Sequence, residues 1–204
     1  MRWRWPNGHG PQTAGAAAAA GAAVENAIGP NAYRPGEVIA TRKGSASRST
    51  TPMPKAAWCC AMRWPTPPNA FADLLLDFAT LTGAARVALG PDLPALFSND
   101  DTVANDWLAA GSALPRSAVA HAAVAPYLRY LNSGIADFAN AGASRMAGAI
   151  TAALYLERFI PGGQAWAHID VYSWNDVDRP GKPQGGEAQS LRASWELLKA
   201  RYAA

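Results

Sequence analysis

The chain has 204 residues, half of them apolar, which is enough for one domain with a real hydrophobic core. Its net charge of +3 and pI near 9.0 come from Lys and Arg scattered along the chain, so neither a nucleic-acid footprint nor a membrane surface is implied. No apolar run approaches the roughly 20 residues of a membrane helix, and the only cysteines, Cys59 and Cys60, are adjacent, which fits neither a disulfide framework nor a spaced zinc motif.

In chain order, Met1–Ala23 combines a basic start with an Ala/Gly-rich stretch. It imitates a secretory signal poorly, because His9, Pro11, Gln12 and Thr13 interrupt it and no Leu, Val or Phe strengthens the alanines. Residues 1–23 are expected to be disordered, and the cytoplasm is the expected location. Residues 24–204 read as one partial domain with two anomalous inserts, 45–72 and 114–125, where no helical or strand period survives. An irregular loop as long as the first is uncommon inside a compact domain.

The remaining segments have ordinary periodicity. Leu74–Ala79 and Trp166–Val171 are short apolar runs that predict buried parallel strands. Helices are expected over Asp101–Ala110, after polar Asn99 and Asp100; over Ala147–Phe159, ending at Pro161-Gly162-Gly163; and over Ala188–Tyr202, with Leu191, Trp195 and Leu198 on one face. Strands alternating with helices predict an α/β fold: an incomplete layered domain with a mixed, largely parallel sheet flanked by helices.

Several motifs occur in a familiar order. They are Glu25-Asn26 with Arg34-Pro35-Gly36-Glu37-Val38, Asp77-Phe78-Ala79-Thr80-Leu81-Thr82-Gly83-Ala84, Ala136-Asp137 with Asn140, Gly148-Ala149-Ile150-Thr151-Ala152-Ala153, and Trp166-Ala167-His168-Ile169-Asp170. The ordered segments that carry them resemble, over about two-thirds of the chain, the catalytic domain of the leucyl (cytosol) aminopeptidase family.

The resemblance implies a two-metal hydrolase, using manganese or zinc, that removes N-terminal residues from peptides and assembles as a homohexamer. It also implies that Thr80, Leu81 and Gly83 hold substrate and that Ala152 lines the side-chain pocket. The family's N-T-D-A-E-G-R-L motif, which supplies metal-binding carboxylates and a catalytic Arg, belongs between Gly44 and Asp73. No Asp or Glu stands there, and the family's upstream K-G and F-D-[ST]-G-G motifs are absent. No catalytic or metal-ligating residue is therefore assigned, no metal is expected to bind, and the chain as written is expected to be inactive.

The genetic code offers a cause. Thr51 to Trp64, read one base earlier, permits T-D-A-E-G-R-L-V-L-C-D-A-L, in which the first Ala and the V-L pair are forced by the genetic code. Leu114–Ala125, shifted the other way, permits C-R-D-P-L-W-R-M-P-L-W-R, and Met1–Asn7 permits A-L-A-L-A-E. Insertions or deletions in the coding sequence, real or from sequencing error, with Met1 an out-of-frame internal start, are the expected cause of all three segments. If the shifts are real, the expected product is a broken copy or a non-catalytic interaction subunit; if they are sequencing errors, the sequence is a truncated view of an active enzyme.

His168 and Asp170 lie on the expected second strand, where a buried structural role outweighs a ligand role. Asp176, Asp178, Arg179 and Lys182 read as a solvated loop.

Overall fold

The computed structural model of the chain describes residues 34–41, 43–50, 72–112, 119–120, 125–142, 144 and 146–202. Residues 1–33, Cys59-Cys60, His9, His121 and most of both anomalous inserts lie outside them, so the expectations placed there are not addressed by the fold.

Two short strands, β1 (Val38–Ala40) and β2 (Ala46–Arg48), pair antiparallel. After them come β3 (Leu75–Ala79), α1 (Gly83–Leu89), β4 (Ala95–Ser98), α2 (Asp101–Ser112) and β5 (Val119–Ala120). A 3-10 turn (Ala125–Leu131) leads to β6 (Phe138–Ala139), α3 (Gly148–Glu157) and β7 (Trp166–Asp170). The last elements are β8 (Trp174–Asn175), β9 (Gly185–Gly186) and α4 (Leu191–Tyr202).

The main sheet has the order β3-β7-β4-β5. β3 runs parallel to β7 and β4 parallel to β5, while β4 and β7 are antiparallel, which is the mixed, largely parallel α/β sheet expected. Alternation decides the two faces. On one face Leu96, Ala167 and Ile169 meet Val103 and Trp107 of α2 and Ala193 and Leu197 of α4. On the other, Ala95 and Phe97 pack with Ala85 of α1 and Ala153 of α3, and Trp166 joins the Tyr155–Phe159–Phe138 aromatic cluster. Covering both faces with helices is what a strand buried throughout, such as Trp166–Asp170, requires.

Helix boundaries follow local chemistry. The Asp100 carboxylate accepts from the Thr102 and Val103 amides at 2.8 and 3.2 Å and starts α2. α4 begins at Leu191 rather than Ala188, because Ser190 sits at φ 68°, outside the helical basin. Ala147 takes the left-handed conformation (φ 55°), so α3 begins at Gly148. A Cβ on Gly148 would come within 3.1 Å of the Ala84 Cβ, and this close approach sets α3 against the start of α1.

A smaller sheet, β1-β2-β6, sits beside this core. The Ala46 amide donates to the Asp137 carboxylate at 2.7 Å, and Asn140 Oδ1 accepts from the Thr50 amide and hydroxyl, each at 3.0 Å. β2 lies at the edge of the first anomalous insert, and it is nonetheless integrated in a sheet.

Candidate functional site

β3 and β7 end side by side, Ala79 opposite Asp170, so the turn after β3 passes over the carboxylate at the end of β7. Asp170 is 3% exposed. Its Oδ1 accepts from the Leu81 amide at 2.9 Å and the Thr82 amide at 3.3 Å, and its Oδ2 accepts from the Thr82 hydroxyl at 2.6 Å. The same hydroxyl accepts from the Ala85 amide at 3.1 Å, which caps α1. One carboxylate therefore holds the whole Thr80–Gly83 turn and, through Thr82, the helix behind it. Burial raises the Asp170 pKa, and this is partly offset by the Thr82 hydroxyl, the His168 charge and the two amides.

The turn opens on a cavity of about 310 Å³ at the C-terminal ends of the parallel strands, the place where α/β sheets bind ligands. It is lined by Thr80, Thr82, Gly83, Arg86, Leu93, Asp170 and Tyr172, among others. Of the four residues proposed to meet substrate, Thr80 and Gly83 reach this cavity. Leu81 turns inward against the aromatic cluster, and Ala152 is half-buried on α3, away from the cavity lining. Arg86 and Tyr172 were not legible as site residues. Nothing in their sequence context announces that Arg86 lies over the Tyr172 ring at 5.0 Å.

Below the turn lies a second polar group. Asp77 accepts from the Trp166 indole at 2.6 Å and lies 2.5 Å from His168 Nδ1. His168 is fully buried between the Phe97 and Trp166 rings, with Nε2 unpartnered. The structural role expected of His168 matches this placement, although only one of its ring nitrogens is satisfied.

The residues after β7 are exposed at Asp176 and Asp178 but tied down elsewhere. The Asn175 amide nitrogen reaches the carbonyls of Val177, Lys182 and Pro183 at 2.7, 2.8 and 2.9 Å. Lys182 pairs with Glu187, and Arg179 with Asp92 at 3.2 Å. The expected solvated loop is thus a braced one, and the reason is the Asn175 amide.

These residues do not fit a two-metal centre. Among the described residues no three His, Cys, Asp or Glu side chains converge, and the buried carboxylates Asp77 and Asp170 are already committed to indole, imidazole, amide and hydroxyl donors.

The chain is a layered α/β domain with a Thr-Leu-Thr-Gly turn over a cavity at its strand ends. The sequence model of the cytosol aminopeptidase family, catalytic domain, matches residues 59–193, and the chain belongs to that family. It is 36% identical over 180 residues to a probable cytosol aminopeptidase of Roseiflexus castenholzii, covering 87% of this chain and 36% of that protein. It is 35% identical over 184 residues to one of Caulobacter vibrioides, covering 88% and 37%.

Among solved structures, the cytosol aminopeptidase from Coxiella burnetii superposes with a TM-score of 0.79 at 43% identity, over 88% of this chain and 39% of that one. The bottromycin maturation enzyme BotP in complex with Mn gives 0.74 at 32% identity, over 82% and 38%. The chain thus spans about a third of the length of the curated relatives it matches.

Proposed function

We propose that this chain carries part of the catalytic domain of a metal-dependent aminopeptidase that removes leucine-like N-terminal residues from peptides. We further propose that, as written, it does not catalyse that reaction. The observation carrying the first part is the Thr80–Gly83 turn, held by Asp170 at the mouth of a strand-end cavity, within a chain that belongs to the cytosol aminopeptidase family. In the proposed role Thr80 and Gly83 contact a peptide with a free N-terminus, while Leu81 packs into the core behind the turn and Ala152 stands apart from the cavity.

The second part rests on the donor set. Two-metal hydrolysis needs several unengaged carboxylates around a bridging water, and the buried aspartates described here are engaged. Manganese or zinc binding, hexamer formation and a cytoplasmic location belong to the family reading and are proposed only with it. Among the described residues no helix is long and apolar enough to cross a membrane.

The test is release of leucine from leucyl amide by the purified chain with added manganese or zinc, against a metal-free control. No release is expected, and metal-dependent release above the control sinks the inactivity claim. A non-catalytic subunit is the second reading, favoured by the intact packing of α2 against α4, where the Trp107 indole donates to Ser194 Oγ at 2.9 Å and Arg201 pairs with Asp106 at 3.0 Å. Co-purification with a full-length family member is expected on that reading, and elution as aggregate alone would refute it.

A further inference from the structure

β3 ends the main sheet: β7 lies on one side of it, and among the described residues no strand lies on the other. The Leu75 amide donates to the Ala165 carbonyl at 3.0 Å, and the Ala79 carbonyl accepts from the Val171 amide at 3.0 Å. Leu75, Asp77 and Ala79 therefore turn their main-chain groups toward β7. Alternation points the amides and carbonyls of Leu76 and Phe78 outward, where they meet no partner among the described residues. Such a row of free groups is a template for another strand.

The side chains of β3 are those of an interior strand. Leu74, Leu76 and Phe78 fall on one face, where Leu74 and Leu76 pack against the Val103, Trp107 and Leu197 cluster and Phe78 is left 42% exposed. On the other face Asp77, the only charge in Leu75–Ala79, is already buried against the Trp166 indole and His168. Pairing along this edge therefore buries no new charge, and no proline or lysine within the strand guards it.

The spacing also selects the occupant. If a second β3 lies antiparallel across a two-fold axis through Asp77, the two Asp77 residues stand directly opposite as like charges, which is unfavourable. With the axis through Leu76, the outward-facing residues meet as Leu76 on Leu76 and Phe78 on Leu74 of the other copy, apolar against apolar. Each exposed Phe78 ring gains a cover, and one sequence supplies both halves of the contact.

We propose that two copies of this chain pair β3 to β3, antiparallel about Leu76, and so join their main sheets into one. The contact uses no residue lining the strand-end cavity, so it stands apart from whether the chain catalyses anything.

Sedimentation velocity of the purified full chain across a dilution series tests it. A species of twice the 21.4 kDa chain mass is expected at high concentration, dissociating on dilution. Amide hydrogen exchange at Leu76 and Phe78 should slow as the dimer fills, while that of Asp77, whose amide faces β7, stays unchanged. Phe78→Pro removes an amide that points away from β7, so it costs no bond inside the chain. It is expected to leave a monomer with an unchanged far-ultraviolet circular dichroism spectrum. Phe78→Glu, which sets a carboxylate opposite Leu74, is expected to weaken association by about tenfold or more, and it carries the test if Phe78→Pro misfolds. A chain that stays monomeric at every concentration overturns the proposal. So does a dimer that persists in both variants, or one that leaves the Leu76 and Phe78 amides unprotected. Binding to a full-length family member without self-association also overturns it, and leaves the non-catalytic subunit reading standing.

Discussion

Replacing Asp170 by Ala removes the acceptor of three hydrogen bonds at once, and the cost can be worked out from their geometry. The 2.6 Å bond from the Thr82 hydroxyl and the 2.9 Å bond from the Leu81 amide are well formed, while the 3.3 Å bond from the Thr82 amide adds little. Hydrogen bonds to a charged group contribute about 1.5–3 kcal/mol each. Against this stands the desolvation of a carboxylate that is 3% exposed, whose raised pKa shows that burial outweighs the donors facing it. The turn borders an open cavity, so water can reach the two freed amides after the substitution. The net loss is therefore about 2–4 kcal/mol, a large share of the roughly 5–15 kcal/mol that holds a domain together.

Asp170→Asn keeps a carbonyl for the amides but cannot accept from the Thr82 hydroxyl through its NH2 group, and it is expected to lose about half as much. Urea unfolding followed by tryptophan fluorescence gives the global figure. Amide hydrogen exchange at Leu81, Thr82 and Ala85 reports the local effect, and these three should exchange faster together because Thr82 couples the turn to the helix cap. Asp170→Ala within about 0.5 kcal/mol of the parent chain, with exchange unchanged at these amides, would refute the assignment of Asp170 as the anchor of the turn.

Three further outcomes are expected. Asn175→Asp conserves shape but turns an amide donor toward three carbonyls into a carboxylate, and it should cost about 3 kcal/mol and open the 176–187 loop to limited proteolysis. Tyr155 is fully buried, and burial, only partly offset by its hydrogen bond with Ser47, pushes its phenol up to about 12. The unfolded chain loses that proton first, so stability should fall as pH rises from near 10 toward about 12, and Tyr155→Phe should flatten this slope in alkaline melts. Ala147 holds a left-handed conformation at φ 55°, so Ala147→Gly should stabilise the chain by about 0.5–1 kcal/mol, the relieved strain being partly cancelled by glycine's chain entropy; a lower melting temperature would contradict this.

The periodic, strongly apolar elements were legible because burial on two faces or one leaves its mark on neighbouring residues in the chain. β3, β7 and the helices α2, α3 and α4 stand within a few residues of where their sequences place them. The short strands were not legible. β1, β2 and β6 have two or three residues each, and β6 joins β2 across some ninety residues with help from Asp137 and Asn140.

By itself, then, the sequence determined the family and the layered α/β class, through motifs that keep their order on either side of the two anomalous inserts. It also singled out the Thr-Leu-Thr-Gly turn. Only the tertiary structure decided that Asp170 anchors that turn from 88 and 89 residues away, that Leu81 faces the core, and that Arg86 meets Tyr172. The physical reason is range: hydrophobic period and turn chemistry act between neighbours in the chain, whereas a hydrogen bond or a stacked guanidinium depends on where β-strand register brings distant residues together.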